Sequence, residues 1–121
     1  MRTIAVTGSR KLGSDAFSVA LDIDSYFAAL AENGSVRVIH GAAAGVDSIC
    51  AEAAERHGHE VVAMPADWKT HGKKAGVLRN LEMLDKGPDA VVAWWNGESR
   101  GTKHMIEAAQ KRGIPVVRRL R

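Results

Sequence analysis

Three short stretches of this chain carry residue types suited to holding an anion. The first is Gly8-Ser9-Arg10-Lys11-Leu12-Gly13-Ser14. Glycine lets backbone N–H groups approach a phosphate, and a helix beginning just beyond adds partial positive charge. The Arg10 guanidinium can grip a phosphate or carboxylate through two parallel hydrogen bonds, and Ser9 offers a hydroxyl. The second stretch is His40-Gly41-Ala42-Ala43-Ala44-Gly45-Val46-Asp47. It is nearly bare of side chains, so a ribose, a phosphate or another flat ligand part can lie on Gly41, Ala42 and Gly45. Asp47 either caps the following helix or accepts from ribose hydroxyls, and capping is the simpler role. The third stretch is Asn96-Gly97-Glu98-Ser99-Arg100-Gly101-Thr102. Gly97, Gly101 and Thr102 are its candidate contacts, because Gly101-Thr102 at a helix start offers N–H groups and a hydroxyl.

Further candidates lie between the second and third stretches. Asp67-Trp68 follows an apolar run, and Trp68 either stacks on a base or simply packs. Arg79-Asn80 near a helix start can reach a phosphate or ribose. Other chemistries fit less well. Ser14 stands where a P-loop needs lysine, and no G-x-G-x-x-G is present, which argues against an ordinary ATPase or dinucleotide fingerprint. Plain strand-to-helix turns remain the competing reading of these loops. His57-Gly58-His59 lacks a Cys or carboxylate partner at ligand spacing, so no metal is expected, and surface or capping roles suit the histidines. Ser9 and Ser99 sit outside any G-x-S-x-G elbow. Cys50 reads as a small buried apolar residue, and Trp94 and Trp95 as core and interface.

The elements that must position these loops follow from periodicity. Short β-branched runs at 3–7, 36–40, 60–64, 90–94 and 115–118 alternate with helical segments, each closed by Gly or Pro. The helical segments start near Ser14 or Asp15, at Asp47, near Lys74 and at Thr102. The first carries Phe17, Leu21, Phe27 and Leu30 at roughly helical spacing. Strands one, two and four are almost continuously apolar, as in a parallel sheet covered on both faces. This predicts a single Rossmann-like three-layer α/β domain over residues 1–121, with a five-stranded parallel sheet in the order 3-2-1-4-5. Ligands of such sheets bind where the strand order reverses, outside the carboxyl ends of strands one and four. The first and third glycine stretches face each other there.

Length and composition agree with one soluble domain: 121 residues, 45% hydrophobic, with a single cysteine that excludes an internal disulfide. No apolar stretch approaches the ~20 residues of a membrane span, and Met1 leads into no long apolar leader, so a cytoplasmic address is expected. The formal charge of +3 suits an anionic ligand. Lys111-Arg112 and Arg118-Arg119 with Arg121 form a basic end, read as a solvated tail or, less simply, as a nucleic-acid contact.

Taken in order, Gly8-Ser9-Arg10, the 40–47 loop, Pro65-Ala66-Asp67-Trp68, Gly72 with Ala75-Gly76, Arg79-Asn80 with Met83, and Gly101-Thr102 resemble the YspA/YpsA-related branch of the SLOG superfamily, small proteins common in bacteria and phages. The resemblance covers nearly the whole chain. It implies a Rossmann-like domain that binds nucleotides or nucleotide-derived ligands such as ADP-ribose. Related branches include the Lonely Guy phosphoribohydrolases and the single-strand DNA-binding protein DprA. In the Lonely Guy pattern an Arg precedes G-G-x-G-T-x-x-E, whose Glu is catalytic. Arg79 and Gly101-Thr102 match, but the Glu position falls on Met105, which can neither move a proton nor stabilise an oxocarbenium charge.

The expected function is therefore binding of a phosphate-bearing nucleotide derivative, as a sensor or sequestering module without a cofactor of its own. A nucleotide N-glycosidase using Asp47 or Asp67 as its acid, with catalytic residues otherwise unassigned, is the first alternative. DprA-like single-strand binding is the second. A homodimer is expected, and no membrane partner.

Overall fold

The computed structural model describes residues 1–119. Strands β1 (Thr3–Gly8), β2 (Arg37–His40), β3 (Glu60–Ala63), β4 (Ala90–Trp94) and β5 (Val116–Arg119) alternate with helices α1 (Ala16–Ala31), α2 (Val46–Arg56), α3 (Trp68–His71), α4 (Ala75–Asp85) and α5 (Arg100–Lys111). The sheet is parallel throughout, in the order β3-β2-β1-β4-β5. This is the α/β Rossmann-like topology expected from the sequence. The one element unforeseen by periodicity is α3, a single turn followed by a 3-10 turn, Gly72–Lys74. It is too short to show an apolar repeat.

Side chains alternate across the sheet with period two, and this divides the core. Ile4 and Val6 of β1, Val38 of β2, and Val92 and Trp94 of β4 pack with α1 and α2. Ala5, Ile39 and Val91 point the other way and pack with Met83 and Leu84 of α4 and with Met105 and Ala109 of α5. The central strands are therefore apolar on both faces.

Helix α1 corrects one expectation. Its buried stripe is Val19, Ile23 and Phe27, whereas Phe17 is 75% and Leu21 53% exposed. Two residues turn a helix through about 200°, so a helix that buries Val19 turns Phe17 outward. Phe27 meets Tyr26 and Trp94 in an aromatic cluster with ring centroids 5.5 to 6.3 Å apart. The Trp94 indole N–H donates to Asp22 at 2.8 Å, and Arg119 donates twice to the same carboxylate, at 2.8 and 3.0 Å. The pair with Arg119 holds the Asp22 carboxyl below its usual pKa, and ties edge strand β5 to α1.

His59 corrects a second expectation, because it is buried rather than on the surface. Its Nδ1 accepts from the Val36 amide at 3.1 Å, and its Nε2 lies 2.9 Å from the Phe27 carbonyl. The ring bridges the turn before β2 and helix α1. His57 instead pairs with Asp24 at 2.9 Å. Cys50 is fully buried, as expected, and burial pushes its thiol pKa well up.

Candidate functional site

The carboxyl ends of β1, β2 and β4 bring the three glycine-rich loops together. The Ser9 amide donates to the Trp94 carbonyl at 3.3 Å, and the Ser9 carbonyl accepts from Val46 at 3.1 Å. Two glycines are required by this crossing. A Cβ on Gly8 would lie 2.6 Å from both the Trp94 carbonyl oxygen and the Val46 Cβ. At Gly45, φ is +75°, and a Cβ would run into the carbonyls of Ser9 and Arg10. The close approach at these glycines is made to the protein itself, to the Trp94 carbonyl and Val46 side chain at Gly8 and to the Ser9 and Arg10 backbone at Gly45.

The 40–47 loop is held from inside. Oδ2 of Asp47 accepts the amides of Gly41 at 3.0 Å and Ala43 at 3.2 Å. The N-cap of α2 is Gly45, so Asp47 does not cap its helix: it lies inside the first turn and reaches back to fold the loop. Burial raises the Asp47 pKa, and the two amide bonds oppose the rise only in part. His40 Nδ1 accepts from the Ala42 amide at 2.9 Å, and Ala42 takes a left-handed φ of +57°. Burial lowers the His40 pKa, in keeping with a neutral ring whose Nδ1 is an acceptor. The Arg79 guanidinium lies on Gly41 and donates to its carbonyl. Gly41 is thus covered by protein, while Ala42 and Ala44 remain exposed.

Arg79 begins a chain of polar contacts. Its Nε donates to Asn80 Oδ1 at 3.1 Å, and the Asn80 amide nitrogen faces the Gly101 carbonyl and His104 Nδ1, both at 3.1 Å. Arginine can only donate, so the Asn80 oxygen must face it and the amide protons must point at Gly101 and His104. His104 Nδ1 is then an acceptor, and the ring proton sits on Nε2. Asn80 is 6% exposed, with its amide engaged inside the protein rather than held out to a ligand. Thr102 is also turned inward. It is 2% exposed, and its hydroxyl donates to Ser99 Oγ at 3.1 Å. Ser99 caps α5 by accepting the Thr102 amide at 3.4 Å.

Arg10, Lys73 and Arg100 stay on the surface, with Arg79 half-buried beside them. A cavity of about 370 Å³ is lined by Arg10, Trp68, Lys73, Arg79, Arg100 and His104, with Gly76, Val77, Asn80, Ser99 and Gly101 completing the wall. No carboxylate lines it among the described residues. Burial lowers the Arg79 pKa; nearby Arg10 lowers it further, and Asp47 opposes the fall. The Arg10 guanidinium sits over the Trp68 ring, 5.6 Å from its centroid, and Trp68 is 49% exposed. Asp67 caps α3 by accepting the Thr70 amide at 3.1 Å; the Thr70 hydroxyl, and then this amide, hold its pKa below the usual value. Gly97 is an exposed turn residue at φ +94°, beside an amide bond from Glu98 to Asn96 Oδ1, and lines none of these cavities.

The cavity therefore joins Arg10, Trp68, Arg79, Asn80 and Gly101, whereas Gly8, Gly41, Gly45, Asp47 and Thr102 build the frame beneath it. Sequence reasoning missed Lys73, Arg100 and His104. His104 had a usable signal: it lies three residues past Gly101, on the same side of one helix. Lys73 had none, because the short turn that presents it has no period. Two smaller cavities adjoin. One of about 280 Å³ is lined by Ser9, Arg10, Lys11, Asn96, Glu98 and Ser99. The next, of about 350 Å³, reaches the start of α1 and Trp95.

A family model described as the YspA, cpYpsA-related SLOG family matches residues 2–71. The chain belongs to this family. The gene 61 protein of Mycobacterium phage D29 is 41% identical over 97% of this chain and 95% of its own length. Among solved structures, TM1055 superposes with a TM-score of 0.77 at 21% identity, covering 96% of this chain and 72% of that one. The molybdenum cofactor carrier protein of Chlamydomonas reinhardtii gives 0.66 at 16% identity, covering 98% and 76%. At such identities these two structures establish the fold.

Met105, at the position of the hydrolase glutamate, is fully buried in the α4–α5 core. Of the basic end, Arg119 is paired with Asp22 and Arg118 lies over Trp95 at 5.7 Å; Arg121 lies outside the described residues. Among the described residues no group of His, Cys, Asp and Glu is placed to hold a metal, and no helix is long and apolar enough to cross a membrane.

Proposed function

We propose that this SLOG-family chain binds a phosphate-bearing nucleotide or nucleotide-derived ligand of the ADP-ribose kind, as a sensor or sequestering module. One observation carries this reading. Four cationic side chains, Arg10, Lys73, Arg79 and Arg100, line one cavity, and no carboxylate lines it among the described residues. A cavity of this composition repels cations, so its natural occupant is a polyanion. Arg79 is half-buried, and a phosphate beside it gains more than it would in bulk water. The fold shared with a molybdenum cofactor carrier supports the capacity to hold a small molecule.

The cationic cavity favours binding over cleavage by the two carboxylates considered from the sequence; Asp15 and Glu98 line the adjoining cavities, and assay for free base tests them. An N-glycosidase needs a carboxylate near the anomeric carbon. Asp47 is committed to loop amides, Asp67 to capping α3, and Met105 to the core. Self-association belongs to the proposal as well, with the exposed Phe17 and Leu21 as its apolar face; light scattering at micromolar concentration tests for a dimer.

Calorimetry with AMP, ADP-ribose, cyclic ADP-ribose and NAD tests the function. Saturable binding of at least one is expected, weakened by added salt. Absence of heat with all four, in protein shown to be folded, overturns it.

A further inference from the structure

The 350 Å³ cavity near α1 differs in kind from the cationic one. Leu12, Val19, Trp94 and Trp95 supply apolar walls, and Ser9, Asp15, Ser18 and Asn96 supply polar groups, with Lys11 the only cation among the described residues. Its volume falls in the range of small-molecule sites, roughly 300–1,000 Å³. It neighbours the cationic cavity. It shares Ser9, Lys11 and Asn96 with the 280 Å³ cavity, which in turn shares Arg10 and Ser99 with the cationic one. The three lie side by side near the reversal point of the sheet.

Two groups at the α1 end, Asp15 and Ser18, are open to accept from a ligand, beside the donors Lys11 and the Asn96 amide nitrogen. Asp15 occupies the N-cap of α1 but makes no side-chain cap bond. An ionised carboxylate only accepts. Ser18 donates its hydroxyl proton to the Asp15 carbonyl at 3.0 Å, which leaves Oγ as an acceptor. A ring with N–H groups on its edge satisfies both, while its faces meet the apolar walls.

Resting on the proposal that phosphate occupies the cationic cavity, we infer that the cavity at Asp15 and Trp95 seats a nucleobase by its N–H edge. Ribose then lies over Ser9 and Asn96, and phosphate beyond them at Arg10, Ser99 and Arg100. Trp68 and Trp95 each carry an arginine over one face, Arg10 at 5.6 Å and Arg118 at 5.7 Å, so the choice between them rests on the walls: Leu12, Val19 and Trp94 stand beside Trp95, whereas Gly76 lies against the edge of Trp68. Guanine offers adjacent N–H donors to one carboxylate and adenine offers one amino group. Uracil flanks its single N–H with two carbonyls that face Asp15 unfavourably.

The test is calorimetric titration of GMP, AMP, UMP and ribose 5-phosphate into the unmodified protein, Asp15→Asn and Ser18→Ala. The expected order is GMP, AMP, UMP, with ribose 5-phosphate about tenfold or more weaker than GMP. Asp15→Asn should weaken GMP about tenfold and leave ribose 5-phosphate unchanged, and Ser18→Ala should weaken GMP by a smaller factor. Equal binding of GMP and ribose 5-phosphate, or of GMP and UMP, overturns the base seat while the phosphate reading stands. No binding by any of the four, with the protein folded, overturns the base seat, and if ADP-ribose, cyclic ADP-ribose and NAD also give no heat the phosphate reading falls with it. If Asp15→Asn shifts the melting temperature, the ligand order on the unmodified protein decides alone.

Discussion

The loops after β1 and β2 read alike in sequence, with small residues following a strand and preceding a helix, yet they do different work. The 40–47 loop is closed on itself. Asp47 gathers its amides, Arg79 covers Gly41, and the backbone of Ser9 and Arg10 presses on Gly45. The Ser9–Asp15 loop is open. Its side chains line three neighbouring cavities, and a methyl group placed on Gly13 would meet no atom within 4 Å. Glycine in the first case makes room for protein; in the second it leaves room for something else.

The sharpest way to break this contrast is Gly45→Ala. It places an L side chain at positive φ and against two carbonyls, so a loss of about 3 kcal/mol or more is expected in urea unfolding. A loss below about 0.5 kcal/mol would mean that the loop does not hold this shape.

Asp47→Asn comes next, at about 1–3 kcal/mol, because a buried acceptor of two amides is altered. Its pH dependence has a definite sign. Burial raises the folded pKa above the ordinary 3.8, so the folded state binds that proton more tightly than the unfolded chain. The contribution is complete below pH 3.8 and is lost as pH rises through the raised pKa. The destabilisation by Asp47→Asn should therefore be largest in acid and shrink toward neutrality; growth with pH would reverse the assignment.

Arg100→Ala separates binding from folding. Arg100 is exposed and lines the cationic cavity, so affinity for a nucleoside monophosphate should fall about tenfold, or roughly 1.4 kcal/mol. The melting temperature should stay within about 2 °C. A large stability change with intact binding would assign Arg100 to the frame.

Gly13→Ala is expected to change stability by no more than about 0.5 kcal/mol, as in other open surface positions. An effect as large as that of Gly45→Ala would erase the distinction between the two loops.

The fold was legible because its strands are apolar on both faces and their breaks are marked by Gly and Pro; that pattern carries the sheet order and the place where it reverses. The site was legible only in part. Arg10, Trp68 and Arg79 stood out by residue type, and they do meet in one cavity. The roles of Gly45, Asp47, Asn80 and Thr102 were not readable, because each depends on how the folded chain surrounds it. Asn80, for example, serves the Gly101 carbonyl, 21 positions away. Type and local spacing say that a residue can hold a ligand; only the tertiary arrangement says whether a neighbour has already claimed it.

The Asp22 carboxylate binds Arg119 across 97 positions of chain. During synthesis residue 22 leaves the ribosome long before residue 119 does, so this clasp cannot form until nearly the whole sheet has been made. Until it forms, β5 is not tied to α1 and β4 has one edge unpaired. Opening of the clasp in the finished chain would let β5 fray and hold out an unguarded β4 edge, open to pairing with a neighbouring chain.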